Sequence, residues 1–150
     1  AGGARAATEY ARHLQRIDVL MTWGTRELVA TDLHDALIER VTVDEAHGTV
    51  TVRMIVGDAQ RGYERVRLRY SQASVHADGA DLRWLVEYEK TELLDHELDL
   101  RGAGFQHRMQ CWPAGELHID FRMVEMSRQP IAKRERRGKP KLRWKLRDAA

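Results

Sequence analysis

The chain is poor in the residues that usually announce a function. It has one cysteine, three prolines, two phenylalanines and no long apolar run. The lone Cys111 excludes an intrachain disulfide and, by strand parity, falls on an apolar face. There an inert core thiol is the simplest role, and it suits a reducing compartment. No apolar stretch approaches the roughly 18 residues of a membrane helix. The start, Ala1-Gly2-Gly3-Ala4-Arg5-Ala6-Ala7, lacks a signal peptide's apolar core, so a cytoplasmic protein is expected. Gly-x-Ser-x-Gly, a phosphate-cradling glycine loop and a Cys-His signature are all missing. An enzyme is therefore the less favoured class, and no cofactor is called for.

What the chain does have is period-two alternation. In Leu94–Leu100 the apolar side is Leu94, His96, Leu98 and Leu100, against Asp95, Glu97 and Asp99. After Gly102 the apolar side becomes Phe105, His107, Met109 and Cys111. Past Pro113-Ala114-Gly115 it is Leu117, Ile119, Phe121 and Met123. Such alternation marks strands with one buried and one wet face, here two successive hairpins. An earlier hairpin pairs Val43 with Val50, Val41 with Val52 and Leu37 with Val56. A six-residue loop with Gly57 and Gly62 leads to a third strand, with Val66, Leu68 and Tyr70 inward. Leu82, Trp84, Leu85 and Val86 suggest one helical turn lidding the core.

Near the start, Thr8 is a plausible N-cap, and Tyr10, Leu14, Ile17 and Met21 form a helical stripe that Gly24 would end. The competing reading is a hairpin of Val19–Trp23 with Arg26–Ala30. These patterns together predict an α+β protein, mostly antiparallel, with about six or seven strands in meander order. The sheet curls around one core and carries an N-terminal helix. Three segments are expected: a disordered 1–7, a single β-rich domain over 8–130, and a basic tail over 131–150 with an edge strand at 141–147.

The net charge of +2 conceals an asymmetry. Nine of the 25 basic residues lie in the tail: Lys133, Arg134, Arg136, Arg137, Lys139, Lys141, Arg143, Lys145 and Arg147. The first 132 residues keep 16 basic and 21 acidic side chains, a net of −5, since Glu135 and Asp148 are the only acids beyond them. The tail residues are candidates for binding a polyanion, or else a solubilising segment. On the sheet's wet face, Arg53, Arg65, Arg67 and Arg69 mark the first half. Asp95, Glu97, Asp99, Glu116 and Asp120 mark the second. Such stripes are usually just a solvated face, and otherwise steer an oppositely charged partner.

The inward histidines are the sharpest chemical candidates. Pairing Leu98 with His107 and His96 with Met109 makes His96 and His107 diagonal neighbours on the buried face. They could share a metal, but such sites usually have three or four ligands, and only Cys111 is near by parity. Core hydrogen bonding is the plainer role. His34 and Asp35 are adjacent, so in a strand they would point to opposite faces and not orient each other.

Leu33-His34-Asp35-Ala36 leads into the first strand, and Phe105-Gln106-His107-Arg108 is followed by Gly115-Glu116-Leu117-His118-Ile119-Asp120-Phe121. These stretches resemble small β-rich bacterial proteins of uncharacterised families, some described as immunity proteins of polymorphic toxin systems. The resemblance spans residues 31–126 and leaves out the tail. It implies a non-enzymatic protein that blocks a protein partner, and it carries no catalytic residue. A nucleic-acid module anchored by the tail is the second reading, and a small metalloprotein or enzyme using His96 and His107 the third. A homodimer is compatible with all three.

Overall fold

The computed structural model describes residues 2–76, 81–132 and 139–146, with only the backbone of residues 2–6. The elements run α1 (Gly2–Ile17), α2 (Trp23–Ala30), β1 (Leu37–Asp44), β2 (Thr49–Asp58), β3 (Gly62–Ser71), β4 (Ser74–Val75), α3 (Trp84–Glu87), β5 (Glu92–Arg101), β6 (Gly104–Trp112), β7 (Glu116–Phe121), β8 (Met123–Ile131) and β9 (Lys141–Lys145). The class is α+β and the sheet is mostly antiparallel, as expected, but with nine strands among the described residues.

Simple meander order gives way to closure. The path is β4-β7-β6-β5-β1-β2-β3-β8, with β9 beside β1. Its two ends are one bent ribbon. β3 pairs β8 from Tyr63↔Ile131 to Ser71↔Met123, and β4 pairs β7 through Ser74↔Asp120 and Val75↔Ile119 in the same register. The bend falls at Gln72, whose φ is 48°, and at Arg122, whose N–H donates to the Ser71 carbonyl. The other seam is short: β1 meets β5 at Leu37↔Glu92, with flanking bonds from Asp35 N–H to Leu93 O and from Ile38 N–H to Thr91 O. The sheet is therefore a barrel, which leaves few open edges.

Its interior holds the expected apolar series. Val41, Val43, Val50, Val52, Val66, Leu68, Tyr70, Leu98, Met109, Leu117 and Ile119 are all buried. Val43↔Val50 and Val41↔Val52 pair as expected, but Leu37 faces Ile55 instead of Val56, because a bulge at Glu39 shifts the register. A second bulge at Leu94 puts Leu93 inside and leaves Leu94 exposed, correcting the even-numbered series there. Arg122 flips parity again, so Met123 is exposed and Val124 is buried. The sixth expected strand thus continues as β8, with Pro130 inside it. A proline is tolerated there because β8 is a sheet edge.

The helical region also differs. α1 starts at Gly2, taking in the residues expected to be disordered; alanines at 4, 6 and 7 favour helix. It ends at Ile17, ahead of Gly24, and neither that long helix nor the alternative hairpin forms. Thr22 instead caps α2: its Oγ1 accepts from Thr25 N–H, and its own N–H donates to Thr25 Oγ1. Gly24 lies in that helix, where a Cβ would stand 1.8 Å from the Val124 carbonyl oxygen. Its role is close helix–strand approach, not termination.

Candidate functional site

The two hairpins bring His96 and His107 together. Leu98↔His107 and His96↔Met109 pair as expected, and His96 Nδ1 lies 2.9 Å from His107 Nε2. Tyr70, on β3, places its hydroxyl 2.6 Å from His107 Nδ1. Tyr70 and His107 are fully buried, while His96 is partly exposed. A buried tyrosine hydroxyl needs an acceptor. Tyr70 O–H therefore donates to His107 Nδ1, and His107 Nε2–H donates to His96 Nδ1, which leaves the His96 Nε2 proton at the outer end. Burial, with His96 alongside, holds His107 well below the ordinary imidazole range. Burial lowers His96 too, and raises Tyr70 well above the usual phenol value. The resulting chain is neutral, polar and satisfied. Among the described residues no group of three or more His, Cys, Asp or Glu side chains could hold a metal ion.

His34 and Asp35 do orient each other, contrary to the strand argument. Asp35 adopts φ 63°, so its carboxylate turns back to lie 3.4 Å from His34 Nε2. His34 Nδ1–H donates to the Leu94 carbonyl at 2.6 Å, and that bond raises the imidazole's pKa. His34 and His96 both line a cleft of about 470 Å³, together with Tyr10, Asp32 and Glu97.

The acidic stripe is dispersed among local partners. Arg108 reaches Glu97 at 2.9 Å and Asp99 at 3.9 Å, and His118 lies 3.0 Å from Glu116. Asp120 is engaged by His76, Arg101 and Gln106, and Asp95 accepts the His96 N–H. Each of these carboxylates thus has a donor on the protein itself.

The basic stripe behaves differently, because the tail joins it. β9 pairs β1 in parallel, with Leu142 and Trp144 packed inward and Lys141, Arg143 and Lys145 exposed. Trp144 Nε1–H also donates to Glu45 at 2.8 Å. One row across the outer face reads Lys141, Arg40, Arg53, Arg67 and Ser127. The next reads Arg143, Thr42, Thr51, Arg69 and Glu125. Like charges directly opposite on neighbouring strands destabilise a sheet. The bulge supplies partial relief: Glu39 lies 2.8 Å from Arg65 and 3.4 Å from Arg53. Arg40, Arg67, Arg69, Lys141 and Arg143 form no ion pair with a described residue.

Of the tail candidates, Lys139, Lys141, Arg143 and Lys145 are described; Lys133, Arg134, Arg136, Arg137 and Arg147 lie outside the described residues. Sequence reasoning missed Arg40, although pairing Val41 with Val52 already sets it near Arg53. It also missed Glu39, which only the bulge brings into play, and Tyr70 as a partner of His107. No family model matches the chain, and no curated protein is similar enough to count as a match.

Proposed function

We propose that the chain is a non-enzymatic binding protein that engages an anionic partner through the outer face of β9-β1-β2-β3. The row Lys141–Arg40–Arg53–Arg67 carries this reading, because adjacent cations without a full set of counter-ions oppose folding. An arrangement that costs stability without helping the core is accounted for by an external anion. The immunity-like role implied by the resemblance fits within this proposal if the blocked partner presents an acidic surface. The His96–His107–Tyr70 chain serves on this view as core polar packing.

Retention on immobilised heparin tests the reading. The protein is expected to bind at low salt and elute as salt rises, and the double variant R67E/R69E is expected to lose most of that retention. Equal retention of that variant, or no retention of the parent protein, would sink the proposal.

A further inference from the structure

We infer that the anion is the sugar-phosphate backbone of duplex nucleic acid, bound without sequence preference; this rests on the basic face proposed above. Three features of the face select this partner. First, the two rows contain only Lys, Arg, Ser, Thr and Glu. Protein interfaces draw most of their affinity from buried aromatic and aliphatic anchors, and these rows offer none. Phosphate binding runs on guanidinium, ammonium and hydroxyl donors, which Arg40, Arg67, Arg69, Thr42 and Thr51 supply.

Second, the rows contain no outward aromatic, so unstacked bases have nothing to stack upon. That favours paired strands over single strands and backbone contacts over base contacts. Third, the size fits. Strands lie about 4.8 Å apart, so Lys141 to Arg67 spans about 14 Å across four strands. The major groove of a B-form duplex is about 12 Å wide. The two ends of the row therefore reach phosphates on both sides of a groove. Among the short Thr and Ser neighbours, Arg67 and Arg69 stand exposed, while Arg40 and Arg53 are half-buried. Among the described residues no helix or loop on this face enters a groove, so base identity goes unread.

Binding is measured by fluorescence anisotropy with a 20-base-pair DNA duplex, a single-stranded oligonucleotide of the same length, and polyglutamate. With about five phosphates neutralised, log K for the duplex is expected to fall with log salt at a slope of roughly −4 to −5. The variant R40S/R67S is expected to weaken duplex binding at least about tenfold and make the slope shallower by about two. Its melting temperature is expected to stay equal or rise, because like-charge repulsion is relieved, so lost binding cannot be blamed on unfolding. Binding of polyglutamate without the duplex would overturn the nucleic-acid assignment and leave the basic-face reading standing. Binding of none of the three probes would overturn both. Tighter binding of the single strand would overturn the choice of duplex. Unchanged duplex affinity in R40S/R67S would remove this face as the site.

Discussion

The Tyr70 hydroxyl donates to Nδ1 of His107 inside the barrel at 2.6 Å, and both residues are sealed from solvent. The bond joins β3 to β6, strands that do not pair with each other, so it ties two parts of the wall through the interior. Removing the hydroxyl leaves a buried imidazole nitrogen without its donor. Tyr70→Phe is therefore expected to lower stability by about 1–3 kcal/mol while keeping the ring's packing against Phe121. Urea unfolding of the two proteins measures this, and a loss below about 0.5 kcal/mol would show that the bond is dispensable.

Acid is expected to destabilise the protein through the same chain. Burial depresses His107 and His96 in the folded state, whereas both titrate near 6.5 when unfolded. The unfolded state then takes up protons that the folded state refuses. The stabilising contribution is intact above pH 6.5 and is lost progressively as pH falls below it. Each group contributes up to about 1.4 kcal/mol per pH unit within that window. Unfolding free energies between pH 7.5 and 5 measure the slope. His107→Leu is expected to flatten it, and an unchanged slope in that variant would assign the acid sensitivity to other groups.

Gly24→Ala reverses a usual rule. Inside a helix the exchange normally stabilises by about 1 kcal/mol. Here the added Cβ meets the Val124 carbonyl oxygen at 1.8 Å, a backbone atom that no side-chain rotation can move aside. α2 must lift from β8, opening the contacts of the buried Leu28. Thermal melting is expected to show a lower melting temperature, and a rise would mean that α2 can shift without cost.

The strand pattern was legible because inward positions repeat every second residue, and it placed the Val43–Val50 and Leu98–His107 pairings correctly. It failed where one residue was inserted or turned. The bulges at Glu39 and Leu94 and the flip at Arg122 look like ordinary alternation in one dimension, since their cause is the curvature of a closed sheet. Thr22 and Thr25 carried a capping signal, but the longer stripe through Met21 masked it. The basic stripe and the basic tail were each visible on their own. Their union was not, because a parallel pairing between β1 and a strand about a hundred residues later leaves no local trace. Tyr70 and His107 meet for a similar reason: alternation says which side chains point inward, but not which of them face one another across the interior.

Closure of the barrel is uneven. One seam is a long ladder, bent once, from Tyr63↔Ile131 to Val75↔Ile119, and the other is the brief junction of Leu37 with Glu92. Beyond that junction β1 leaves β5 and takes β9 as its partner instead. The molecule is thus one leaf of β9-β1-β2-β3 and one of β5-β6-β7, bound along a strong spine and latched at a narrow clasp. Thermal fluctuation will act first on the clasp, so the amides of Ile38 and Leu93 should exchange with solvent sooner than those of the spine. The basic residues of both rows, on β9, β1, β2 and β3, lie wholly within one leaf. Opening the clasp would therefore admit water to the His107 interior while leaving the charged face undisturbed.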